Sequence, residues 1–337
     1  MPSEVILIER AILQGLRKSV NAFAKSLPAG QRVAIKMHMG EGGSLFYLRP
    51  IYARTVADEL KSAGMQPFVF DSPTMYHGNR HDVESYYETA KKNGFTEESV
   101  GCPIIISDEG VPVSTALGKI NVCKKLVDAK AMVVLSHFKG HLCSTYGGAI
   151  KNLGMGGFTS ASKKRIHNGC TPAVDLAKCV GCGTCAKACP FGLPKVKGKV
   201  QMPEACYGCC VCVLACPQHA LKPRTMPLAE GLSDVVSHLL KSFPTGNVLY
   251  VNVLMDIATR CDCVAHGESD AELAMACPNI GIMVSSDPVA VDKASLDIVD
   301  ELSAGKFGKL WGGNPDWQTE KAEALGMGFR KYVLKRA

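Results

Sequence analysis

The sequence predicts an α/β protein: a mostly parallel sheet with flanking helices, interrupted by a small cysteine-rich module. Three observations predict it. Short apolar runs alternate with amphipathic segments in both halves of the chain, as strands joined by helical crossovers do. Polar and titratable residues gather just after those runs, where ligand crevices form in open α/β sheets. Between the halves stands a repeated cysteine pattern that fits neither strand nor helix periodicity. The organisation that follows is a first part of the α/β body over 1–170, an insertion over 171–224, and a second part of the body over 225–337.

Residues 32–37 read as the first strand and 50–63 as a helix, with Pro50 suited to its first turn and Gly64 to its exit. A strand at 67–70 follows, then a helix at 82–93 with Asp82 as N-cap and Gly94 as stop. Residues 104–106 and 132–135 are buried strands. After the insertion come a helix at 228–243, strands at 248–253 and 282–285, a helix from Pro288 to about residue 302 capped by Asp287, and a closing strand at 331–334. On this map His38 and Glu41 follow the first strand, and Asp71, Thr74, Tyr76 and His77 the second. Asp108 and Glu109 follow the third, Ser136, His137, Lys139 and His141 the fourth, Asp256, Cys261 and Cys263 the fifth, and Ser286 and Asp287 the sixth. The body is therefore expected to hold a site of its own at one edge of the sheet.

The insertion carries the most specific signal. Cys179, Cys182, Cys185 and Cys189 make C-x2-C-x2-C-x3-C-P, and Cys206, Cys209, Cys212 and Cys216 repeat it. This is the ligand run for two [4Fe-4S] clusters. Three thiolates at two-residue gaps let a tight loop wrap one cluster, and the fourth points to the other. Cys179, Cys182, Cys185 and Cys216 are thus expected to hold one cluster, and Cys206, Cys209, Cys212 and Cys189 the second. Two zinc sites would need only C-x2-C pairs.

The second signal is the segment 136–157, which sets His137, Lys139, His141, Lys151 and Asn152 among six glycines. Glycines let a backbone approach a ligand and expose amide donors, and a lysine there is a natural anion contact. No GK[ST] follows, so it is not a Walker loop. If helical, His137 and His141 would share a face and could bind a metal; Gly140 favours a loop. His38, with Glu41 and Arg49 after it, reads as an active-site loop, and Asp71 with Tyr76 and Arg80 as a polar substrate contact. Cys261, Cys263 and Cys277 could hold a third metal or cluster, or Cys261 and Cys263 could act as a redox dithiol.

Sixteen cysteines in 337 residues, with metal-like spacing and no signal peptide at the start, place the chain in a reducing cytoplasm rather than outside the cell. Oxygen-sensitive clusters suit an anaerobic host. No apolar run reaches the roughly 18 residues of a membrane span. The formal net charge of +7 is spread, without the dense stripe or module that nucleic-acid binding requires. It reads mainly as solvated lysines, with an acidic partner or anionic substrate as the alternative.

The runs at 33–41, 136–141 and 147–156, together with Arg49-Pro50, Cys261-Asp-Cys263 and Ser286-Asp-Pro-Val-Ala290, resemble the domain of unknown function family 362, over nearly the whole chain. Members of that family often carry an inserted two-cluster ferredoxin module. The resemblance implies roles for His38, His137, Lys139, His141, Lys151, Asn152, Cys261 and Cys263, and supplies no reaction. The chain departs from the family pattern at Cys143, Ser144 and Thr145 and at Cys277-Pro278-Asn279, which adds candidate metal ligands. A histidine loop followed by Gly-Gly-x-x-Lys is similar also to lactate racemases, which implies an anion-binding lysine.

The expected function is an iron–sulfur oxidoreductase. A ferredoxin-like donor or redox complex supplies electrons, two [4Fe-4S] clusters pass them on, and His38, His137, Lys139, His141 and Lys151 bind or protonate an anionic small molecule, or hold a metal, in the crevice. The alternatives are an electron-transfer subunit with no chemistry of its own and an iron–sulfur assembly protein.

Overall fold

The computed structural model describes residues 2–76, 78–261 and 275–337. Eight strands form one sheet: β1 (Ser3–Ile8), β2 (Arg32–Lys36), β3 (Gln66–Asp71), β4 (Ile104–Ile106), β5 (Met132–His137), β6 (Val248–Leu254), β7 (Gly281–Ser285) and β8 (Tyr332–Arg336). Their order is β8-β1-β7-β6-β5-β2-β3-β4. The run from β6 to β4 pairs in parallel throughout. β7 is antiparallel to both β6 and β1, and β1 and β8 pair in parallel, so β7 alone runs against the rest. The fold is α/β with a mostly parallel sheet, as the alternation of apolar runs predicts.

Every residue of β5 and β6 is buried, as befits central parallel strands covered on both faces. Successive residues face opposite ways: Met132 and Val134 join one core, Val133 and Leu135 the other. The helices Ala149–Gly156, Leu228–Leu240 and Pro288–Leu302 cover the first face, and Ile12–Lys25 and Pro50–Ser62 the second. A fully buried Leu or Val side chain contributes roughly 1.5–3 kcal/mol, so each of these strands is held by several such terms.

The expected caps are present. Asp82 and Ser85 form a reciprocal capping box at the start of Val83–Lys92, and Asp287 accepts from Val289 N at 2.8 Å and Ala290 N at 2.9 Å. Two expectations need correction. The segment 136–157 is not a loop: it is the end of β5, a hairpin of Lys139–His141 with Thr145–Gly147, and the helix Ala149–Gly156. Because β7 is reversed, Ser286 and Asp287 lie at the opposite edge of the sheet from the other strand-end residues, where Asp287 ties Ser3 Oγ (2.6 Å) and Phe329 N (2.8 Å).

The cysteine-rich segment leaves and rejoins the body through two short antiparallel strands, Pro172–Val174 and Leu221–Pro223. Inside it, the short helices Thr184–Ala188 and Val211–Leu214 pack together, and Lys195–Lys197 pairs with Lys199–Gln201 as a hairpin. Backbone φ is positive at Gly181 (71°) and Gly183 (78°), and again at the matching positions Gly208 (72°) and Cys210 (60°). The sequence repeat is therefore a repeat of conformation as well.

Candidate functional site

The carboxyl ends of β2, β3, β5 and β6, the 139–147 hairpin and the helix Ala149–Gly156 enclose a cavity of about 240 Å³. Its floor is a buried polar cluster. Lys36 Nζ lies 3.1 Å from Asp71 Oδ1 and donates to Asn152 Oδ1 at 2.7 Å. Tyr86 OH donates to the other Asp71 oxygen and accepts from Met39 N. Asn152 Nδ2 donates to Lys36 O, Leu135 O and Ser136 Oγ at 3.0–3.3 Å, and so ties β2 to β5. Burial pushes the Lys36 ammonium below its usual range, and Asp71 opposes that shift. A Cβ on Gly156 would collide with Lys36 Nζ and Asp71 Oδ1, so the ion pair packs directly on the helix backbone.

The walls carry the histidines. His137 Nε2 lies 2.9 Å from Met255 O and 3.0 Å from Asp256 O. Two acceptors there require the proton on Nε2, so the neutral ring has its lone pair on Nδ1. His141 is the other tautomer: its Nδ1 accepts from the amides of Cys143 and Ser144, both at 3.2 Å, which leaves the proton on Nε2. Lys151 Nζ reaches Cys261 Sγ at 3.5 Å. Arg80 pairs with Glu41 at 3.1 Å, and Tyr76 OH bonds the same carboxylate oxygen at 3.2 Å.

Of the residues singled out in the sequence, His38, Asp71, Thr74, Tyr76, Arg80, His137, Lys139, His141, Lys151, Asn152 and Cys261 all line this cavity. Cys277 is buried but is not among the lining residues, and Cys263 and His77 lie outside the described residues. Asp108 instead caps the helix Ser160–Gly169 through Ser160 N at 2.7 Å, and Asp256 makes an exposed ion pair with Arg49 at 3.2 Å. The sequence reading missed Lys36, Lys163, His167, Phe191 and Tyr207, which also line the cavity. Lys163 stands in a basic run of the kind that reads as solvated surface charge, yet it is 4 % exposed. Burial lowers its pKa to about 8 and that of His167 to about 4. Their i, i+4 spacing on one helix face was the available signal. Among the described lining residues five are Lys or Arg and one, Asp71, is a carboxylate. The opposite wall is apolar, with Met155, Phe191, Leu228 and Leu232.

The cysteines of the insertion form two sets. Cys179, Cys182, Cys185 and Cys216 line one small cavity; Cys189, Cys206, Cys209 and Cys212 line another, with Cys210 beside them. Each set takes its fourth member from the other run. Backbone amides point at two of the sulfurs, Val200 N to Cys179 Sγ at 3.5 Å and Ala220 N to Cys216 Sγ at 3.4 Å, an arrangement that suits thiolates. Among the described residues no three Cys, His, Asp or Glu side chains are grouped to hold a metal ion. Phe191 and Tyr207 line both the second cysteine cavity and the large cationic one. A wall of side chains thus separates the two chambers. His167 Nδ1, 2.9 Å from Tyr207 O, and the ring of Phe191, 4.7 Å from that of Tyr207, hold the wall in place.

No helix among the described residues is long and apolar enough to cross a membrane. A family model described as Domain of unknown function (DUF362) matches residues 33–297. No curated protein matches. Among solved structures, the lactate racemase apoprotein from Thermoanaerobacterium thermosaccharolyticum is similar with a TM-score of 0.41 and 11 % identity over 89 % of this chain. The chain spans 57 % of that protein's length.

Proposed function

The chain belongs to the DUF362 family, and from that premise we propose that it is an iron–sulfur reductase acting on an anionic small molecule. Cys179, Cys182, Cys185 and Cys216 hold one [4Fe-4S] cluster, and Cys189, Cys206, Cys209 and Cys212 the second. Bound there, the clusters supply single electrons, taken from a ferredoxin-like donor in a reducing cytoplasm. The body does the rest. Lys139, Lys151 and Lys163 draw the anion in, and Phe191, Leu228 and Leu232 pack against its apolar part. His141 presents an Nε2 proton, and Lys36, charged against Asp71, is a second proton source on the floor. Cys261, whose Sγ lies 3.5 Å from Lys151 Nζ, is available as a soft ligand or an electron relay.

The observation that carries this reading is the shared wall: Phe191 and Tyr207 belong to both the second cysteine cavity and the cationic chamber. Anaerobically purified protein should hold about eight irons. Chemically reduced protein should be re-oxidised by some members of a panel of carboxylates that also carry a reducible group (a conjugated double bond, a 2-oxo group or a disulfide), with two electrons and two protons taken up per molecule reduced. Lys151→Ala and His141→Ala should abolish that re-oxidation and leave the visible spectrum unchanged. Electron transfer indifferent to both changes would point to a subunit without chemistry of its own. Iron above eight, lost on replacing Cys261, Cys263 and Cys277 by Ser, would favour cofactor assembly.

A further inference from the structure

We propose that the face of the insertion around Cys182 is the docking surface for an acidic one-electron carrier protein, and that electrons enter the molecule there. The inference rests on the cluster reading above and adds the entry point and the partner's charge. Residues 171–224 contain six lysines and one arginine against only Asp175 and Glu204, a surplus of five in a chain whose whole formal charge is +7. All seven basic side chains are exposed. The spread noted in the sequence is therefore uneven, and the excess sits on the part that carries the cysteine runs.

The lysines are placed by the fold. The hairpin Lys195–Lys197 with Lys199–Gln201 turns at Gly198, whose carbonyl a Cβ on Gly181 would strike. The lysine hairpin thus lies against the loop that presents Cys182. Val200 N reaches Cys179 Sγ at 3.5 Å, and Lys199 Nζ donates to Leu176 O. Cys182 is the only exposed cysteine in the two runs. Beside it Val180 and Leu176 are 64 % and 55 % exposed. An apolar centre with a charged rim is the anatomy of a protein interface, and a one-sign rim speeds encounter with a partner of opposite sign. Nucleic acid would use the lysines but has no use for Val180 and Leu176. The second set of cysteines lies on the other side, behind Phe191 and Tyr207 and next to the chamber. The order is then carrier, the Cys182 side, the Cys206 side, chamber. Each encounter moves one electron: the carrier is oxidised by one and this protein reduced by one.

The test measures the affinity of the full-length, iron-loaded protein for an acidic bacterial ferredoxin by calorimetry, at low and high ionic strength. A basic cytochrome c and a short DNA duplex serve as comparison probes. The ferredoxin should bind at low ionic strength and weaken as salt is added. Lys195→Glu with Lys197→Glu should weaken it roughly tenfold or more, and Val180→Asp should weaken it by a separate route. Absence of ferredoxin binding, insensitivity to the charge reversal, or equal lysine-dependent binding of the duplex overturns the proposal. Iron content and bleaching by dithionite report separately on the cluster reading, so the two can fail independently.

Discussion

Lys163 is held inside the protein by neutral oxygens: its Nζ donates to Ser72 O at 3.1 Å, to Ser72 Oγ at 2.8 Å and to Pro73 O. Burial lowers its pKa to about 8, so its charge is present below that pH and lost above it. If this ammonium helps hold the ligand, anion affinity should fall as pH rises through about 8, by roughly tenfold for the loss of one charge-assisted contact. Lys163→Met should bind weakly throughout and lack the step near pH 8; titrating affinity against pH in both proteins checks this. The residues that escaped the sequence reading share one property. Lys36 lies within a strand and Lys163 in a basic run with Lys164 and Arg165, so local pattern labels them strand filler and surface charge. Only the tertiary fold turns them inward. His137, His141 and Lys151 were legible because they stand just after an apolar run or among glycines.

At the scale of elements, the helix Ala149–Gly156 decides the shape of the chamber. The glycines that suggested a ligand loop have another cause: side chains press on the backbone there, Asp292 at Gly148 and the Lys36–Asp71 pair at Gly156. The first amides of the helix are not offered to a ligand either. Asp292 accepts from Ala149 N at 2.7 Å and Ile150 N at 2.9 Å, and takes a third bond from Asn252 Nδ2 at 2.8 Å. Asp292→Ala leaves buried amides unpaired and should cost about 1–3 kcal/mol. Burial raises the Asp292 pKa to about 6, well above the ordinary range of an aspartate. A carboxyl raised in the fold contributes stability that is full below its unfolded pKa and is lost as pH rises through its folded one. The stability gap between wild type and Asp292→Ala should therefore be widest near pH 4 and narrow as pH rises through about 6. Chemical denaturation of both proteins across that range would show it. The strand reversal at β7 was equally beyond local reading, because an apolar run carries no sign of its direction.

For the molecule as a whole, the exchange of fourth cysteines makes the insertion a single unit. Cys216→Ser, far along the chain from Cys179, should remove the same cluster as Cys179→Ser, and Cys189→Ser the same one as Cys206→Ser. Each change should leave about four irons, with matching spectra inside each pair and different spectra between pairs. The two cysteine runs were the most legible part of the chain, because their spacing is local. The shared aromatic wall was not, because it depends on how the insertion leans on the body. The two strands at the neck of the insertion have a further consequence. Paired strands run about 5 Å apart, so the chain comes back almost to the point it left. A segment of that kind is a cartridge: it could be clipped in or out at one place without rerouting the sheet. A chain lacking it would keep the basic residues of the body but lose Phe191 and Tyr207, and the chamber would stand open where they had been.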